Sequence, residues 1–213
     1  MLQRLALLIG LSLQIHAQSR PPQILYVSRQ FWRAGSQAAL NRIEAQAARV
    51  CIDLGVPHPY LGIESLTGSK EVWYLNGFTS AEDLAQIAEQ YDKKPELMAA
   101  MKRFSEEREE FKSERDKEGQ ATYRPELSRG APWSIGEGRF LVIVVTKDTP
   151  RSDGTVFETK DGERFIVTSA HTRAEAEAKL SSAGAGAKIF AIRPQFSLPA
   201  ADWVTGDPSF WRQ

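Results

Sequence analysis

The stretch PYLGIESLTGSKEVWYLNGF, residues 59–78, holds two short apolar runs on either side of Gly68-Ser69, the signature of a β-hairpin. Side chains alternate across a strand. With a two-residue loop at Gly68-Ser69, Glu64 lies opposite Trp73, so that Tyr60, Glu64, Trp73 and Leu75 share one face while Leu61, Ile63, Val72, Tyr74 and Phe78 share the other. A register slip of one residue sets Glu64 opposite Val72 instead. A carboxylate among rings in mid-sheet has two explanations: a cation such as Arg29 or Arg33 pairs with it, or it belongs to a pocket.

Before the hairpin, residues 24–33 alternate as a strand, with Leu25, Val27 and Phe31 on one side and Tyr26, Ser28, Gln30 and Trp32 on the other. Ala34-Gly35-Ser36 breaks it. Leu40, Ile43, Ala47, Val50, Cys51 and Leu54 then recur every three or four residues, a helix with one buried stripe that ends at Gly55. After the hairpin, Ser80 and Asp83 start a second helix in capping-box fashion, and Pro95 starts a third. The run 106–118 is so dense in alternating charge that it reads as a solvated helix end, with a charged partner surface as the lesser alternative. Residues 119–138, rich in Gly and Pro, read as a connecting segment anchored by Tyr123, Leu127 and Trp133.

The second half begins at a strand, 140–145, apolar on both faces. A hairpin turns at Asp161-Gly162, a capped Ala-rich helix begins at Thr172 with Glu175, and a last strand covers 188–193. This is the order of the first half with its first helix missing. The aromatic tail, with Phe196, Trp203, Phe210 and Trp211, is expected to pack over a sheet edge or the opposite half.

The chain has 213 residues, with 27 Lys plus Arg against 27 Asp plus Glu. Balanced charge leaves no basic stripe for nucleic acid, so none is expected as a partner. At the N-terminus, Arg4, the apolar run 5–13 and Ala17 match a secretory signal. The run is too short for a membrane span. The expectation is a secreted or periplasmic protein, not membrane-bound once residues 1–17 are removed, and Cys51, the single cysteine, leaves it without internal disulfides.

Two successive β-α-β-β-α-β-like orders resemble a duplicated ferredoxin-like fold, and the opening YVSRQFWRAGSQAALNRIE, residues 26–44, resembles the first strand and helix of the dimeric α/β-barrel superfamily, which includes antibiotic-biosynthesis monooxygenase-like and NIPSNAP-like proteins. The resemblance implies an α+β protein: unit 1 over 18–118, a connector over 119–138, and a degenerate unit 2 over 139–213. In that superfamily two antiparallel sheets, from two subunits of a homodimer or from two halves of one chain, face each other and enclose a cavity. It further implies that Tyr26, Gln30, Trp32, Tyr60 and Trp73 line that cavity with Glu64, while the aliphatic face lies under helices.

Such a face suits a small apolar or aromatic ligand. A carboxyl desolvated among rings would have a raised pKa, which makes Glu64 a candidate general base. His58, held between Pro57 and Pro59 at the strand entrance, is the second candidate. Neither His58 nor His171 has a second ligand at metal spacing, so no metal is expected, and no P-loop, dinucleotide fingerprint or nucleophile elbow points to a cofactor. The leading expectation is a binding protein without established catalysis; the alternatives are a cofactor-independent monooxygenase or isomerase-like enzyme and an extracytoplasmic interaction module.

Overall fold

Ser80 and Thr172 start helices as their spacing predicts, each in extended backbone with its hydroxyl accepting from the N–H three residues on, Asp83 at 3.1 Å and Glu175 at 3.2 Å. The computed structural model describes residues 20–149 and 152–212. The expected signal, residues 1–17, lies outside the described residues. In chain order come β1 (Ile24–Phe31), α1 (Gln37–Asp53), β2 (Leu61–Ser65), β3 (Glu71–Phe78), α2 (Ala81–Asp92), α3 (Pro95–Glu109) and β4 (Lys117–Tyr123). The second half follows with β5 (Phe140–Thr146), β6 (Thr155–Thr159), β7 (Arg164–Ala170), α4 (Arg173–Ala183) and β8 (Ala187–Ile192), then short helices α5 (Ala201–Gly206) and α6 (Pro208–Trp211).

All eight strands form one closed antiparallel barrel in the order β1-β3-β2-β8-β5-β7-β6-β4. Within it the first four strands lie β4-β1-β3-β2 and the last four β8-β5-β7-β6, the same relative order twice. The two sets meet along β2 with β8 and β4 with β6, each over three residue pairs.

Strand β4 corrects two expectations, because it crosses the boundary drawn at 118/119 and occupies ground assigned to a solvated helix end and a connector. Its buried position is Ala121, with Gly119 and Tyr123 partly covered on the same side. Small residues beside a crowded barrel wall produce no apolar alternation to detect.

The hairpin register is also corrected: Ile63 pairs with Trp73 and Glu64 with Val72. The loop is longer than two residues. Ser65 Oγ donates to the Ser69 carbonyl (2.7 Å) and accepts from Glu71 N–H (2.8 Å), while Leu66 N–H bonds the Ile189 carbonyl (2.7 Å) and Thr67 Oγ1 accepts from Ile189 N–H (2.9 Å). Strand β8 thus takes the residues that a tight turn would have paired, and the shift moves Trp73 to the other face.

A third correction concerns inside and outside. Leu25, Val27, Leu61 and Ile63, expected under helices, instead fill the barrel together with Trp73 and Leu75 against Leu141, Ile143, Phe157, Phe165, Val167 and Phe190. An eight-stranded barrel is just wide enough to be filled by its own side chains. The face carrying Tyr26, Ser28 and Gln30 therefore looks outward, toward α1 and α3. One barrel end is closed by aromatics: Trp133 from the connector and Trp211 from the tail belong to the interior cluster, with Ile135, Trp203 and Phe210 packed on it. The tail thus packs on the barrel interior and not over a sheet edge, which a closed barrel lacks, while Phe196 packs against Trp32, Leu40 and Val72.

Candidate functional site

Between the outer face of β1 and β3 and the helices above it lies a cleft of about 540 Å³. The sheet contributes Tyr26, Ser28, Gln30, Tyr74 and Asn76; α1 contributes Glu44, Ala48 and Cys51; α3 contributes Met98, Met101, Phe104 and Arg108. Tyr60, at the entry to β2, stands edge-on to Tyr74 with ring centroids 5.8 Å apart, and Tyr91 from the end of α2 completes the wall. Met98 and Met101 are among the exposed large apolar residues, which places flexible thioether side chains at the mouth.

The floor is polar and paired. Glu44 is 2% exposed, accepts from the Tyr74 hydroxyl, and receives Arg108 Nη1 on both oxygens at 3.0 and 3.1 Å. Burial alone would lower the Arg108 pKa, but Glu44 outweighs it and holds the guanidinium above its ordinary value. Tyr74 is driven well up by burial and then by the neighbouring Glu44 charge, so its hydroxyl remains a donor. Burial likewise raises Tyr60, and pushes Tyr91 up to about 12. Cys51 is raised mainly by burial, which keeps it a thiol. At the rim, Tyr26 and Ser28 donate to the two oxygens of Glu118 at 2.7 and 3.2 Å.

Three of the expected ligand-binding residues, Tyr26, Gln30 and Tyr60, come together in this cleft. Trp32 is buried beside it against Leu40, Val72 and Phe196. Trp73 sits inside the barrel, 4.9 Å from the Phe190 ring and 5.8 Å from Phe165, and donates Nε1 to Glu71 Oε2 at 2.6 Å. The buried acid beside a tryptophan is thus Glu71, which Lys188 and Ser69 also engage. Glu64 lies on the outer face, held by Arg193 Nε at 2.6 Å and Nη2 at 2.5 Å. His58 stacks on Phe78 with centroids 4.5 Å apart, its Nε2 2.9 Å from the Gly77 carbonyl. Neither lines the cleft, and neither meets the tyrosines there.

Glu44 and Arg108 escape a reading by apolar pattern, although Glu44 leaves a trace: it falls within the stripe of Leu40, Ile43, Ala47 and Cys51, where a charge requires a buried partner. Arg108 is hidden by its charged neighbours. Among the described residues no group of three or more His, Cys, Asp or Glu could hold a metal, and no helix is long and apolar enough to cross a membrane.

No protein-family model matches the sequence, and no curated protein matches it. Solved structures similar to it include a "putative monooxygenase" from Fusobacterium nucleatum subsp. nucleatum, with 10% identity over 84% of this chain and 94% of that one at a TM-score of 0.48. Another "putative monooxygenase", from Lactobacillus acidophilus, shares 8% identity over 82% of this chain and 94% of its own at a TM-score of 0.41.

Proposed function

We propose that the chain binds a small, largely apolar or aromatic molecule in the cleft between the outer sheet face of its first half and helices α1 and α3. The observation that carries this reading is a 540 Å³ space walled by tyrosines, Phe104 and methionines over the buried Glu44–Arg108 ion pair and the Tyr74 hydroxyl. Ligand sites combine apolar walls with a few fixed polar groups. Tyr26, Gln30 and Tyr60 contact the ligand, and the Tyr74–Glu44–Arg108 network holds the floor rigid.

The repeated strand order supports the finer architectural reading, two tandem ferredoxin-like units joined as a pseudo-dimer within one chain. The enzymatic alternative needs a base with a free lone pair facing the ligand. Glu44 is engaged by Arg108 and Tyr74, Glu64 by Arg193, and His58 lies outside the cleft, so none of these three serves as a base there; Asp116, whose Oδ2 pairs with Lys112 while Oδ1 stays open, is the acid left to that alternative. The interaction-module reading is left with the exposed charges of the run 106–118, from which Arg108 is withdrawn because it turns into the cleft.

A fluorescent naphthalene probe tests the proposal. It should bind the full chain at one site, and Ser105→Trp, which fills the cleft from α3, should weaken binding about tenfold or more through steric exclusion with the melting temperature nearly unchanged. Equal binding to both proteins would place the ligand elsewhere.

A further inference from the structure

Of six buried side-chain polar atoms without partners among the described residues, three belong to residues that line the cleft. Gln30 Oε1, Arg108 Nε and Asp116 Oδ1 all lack a hydrogen bond among the described residues, and all three residues line this space. Gln30 is only 5% exposed. The backbone explains their convergence. Beyond β1, Trp32 bridges to Lys112, Ser113 N–H bonds the Phe31 carbonyl at 3.0 Å and Arg33 N–H bonds the Phe111 carbonyl at 2.9 Å. Arg29 pairs with Lys117 while Trp32 bridges to Lys112, so residues 113–116 bulge by two opposite Gln30 and Phe31, which leaves Asp116 at the Gln30 end of the cleft, and Arg108 leaves α3 one turn before Phe111.

The charges here are already neutralised. Arg108 is paired with Glu44, and Asp116 Oδ2 lies 2.9 Å from Lys112 Nζ. What stays open is two acceptors and one donor, and an unmet buried polar group costs far more than a satisfied one returns. We infer that the cleft selects a ligand whose inner end is a neutral N–H next to a C=O, as in a lactam, imide or carboxamide, with its apolar part lying along Tyr60 and the methionines. The N–H donates to Gln30 Oε1 or Asp116 Oδ1, and the carbonyl accepts from Arg108 Nε. A carboxylate would meet two acceptors it cannot satisfy, and a pure hydrocarbon would leave all three atoms bare.

This rests on the cleft being the ligand site, and four bicyclic probes of similar size separate the two claims. Binding of naphthalene, 2-quinolinone, 1-methyl-2-quinolinone and coumarin to the full chain is measured by calorimetry. The expected result is that all four bind and that 2-quinolinone, the only one with an N–H, binds about tenfold or more tighter than its N-methyl and oxygen analogues. Gln30→Met, of similar length but without the acceptor, should shrink that ratio. Equal affinity for all four overturns the inference and leaves the cleft reading standing; no binding by any overturns both. An undiminished ratio in Gln30→Met overturns Gln30 as the acceptor. The comparison among probes on the unaltered chain needs no variant to fold.

Discussion

The two halves share a strand order but treat their outer faces differently. On the second half, Val142, Val144, Ile166 and Ile189 face outward, and the Ala-rich α4 lies close, with Ala176 fully buried against them. Leu127 of the connector packs where the first half has its own helix. A smaller depression of about 340 Å³ remains there, beside Lys179 and Ser182. On the first half the corresponding face is Tyr26, Ser28, Gln30, Tyr74 and Asn76, and Glu44, Ala48 and Cys51 of α1 with the larger Met98, Met101, Phe104 and Arg108 of α3 stand over it. One topology therefore carries a smaller or a larger space according to what the outward positions hold: aliphatic groups pack against a small-residue helix, whereas hydroxyls, amides and an ion pair line the cleft.

The sharpest way to break this contrast is Glu44→Ala. It strands the Arg108 guanidinium under α3 and should cost about 4 kcal/mol in urea unfolding, in the range for splitting a buried pair. Ile166→Ala, its counterpart on the aliphatic face, should cost about 3 kcal/mol by leaving a void, yet leave naphthalene affinity unchanged; lost affinity would show that the two faces are coupled. Gly62→Ala probes the roof of the first half, since a Cβ there would come within 2.7 Å of Phe196, and about 2 kcal/mol of destabilisation is expected from the overpacking.

The barrel rim carries an acid-sensitive group. Burial raises the Glu71 carboxyl, yet bonds from Lys188, Ser69 and Trp73 outweigh it and hold it below its ordinary value near 4.5. A depressed folded pKa means that its contribution is complete above about pH 4.5 and is lost as pH falls through the folded value. Melting temperature should therefore drop on acidification, and Glu71→Gln should flatten that limb while lowering stability at neutral pH. The smallest effect belongs to Lys102→Ala: its pair with Glu106 is solvent-exposed, and loss below about 0.5 kcal/mol is expected in the same urea assay.

Strand and helix order was legible in residues 24–109 because apolar spacing, Ser80, Pro95 and the glycine breaks agree locally. Three things were not. The hairpin register depends on β8, which is 122 residues beyond Thr67 in the bond that sets it. Which face is interior depends on closure, for alternation sorts side chains into two sets without naming the covered one. The Glu44–Arg108 pair joins residues 64 apart, and each looks like surface charge until its partner is known. Alternation puts Tyr26 and Gln30 on one face of β1 and the resemblance adds Tyr60; these three line the cleft, whereas Trp73, expected beside them, turns into the barrel.

The short seams between the halves have a mechanical consequence. β5 and β7 are stitched over seven residue pairs, whereas the β2–β8 and β4–β6 borders hold three each. Thermal breathing should start along those borders, so that amide deuteration at Ile63 or Thr122 runs ahead of Ile143 or Val167 and the cylinder opens like a clasp before either plate melts.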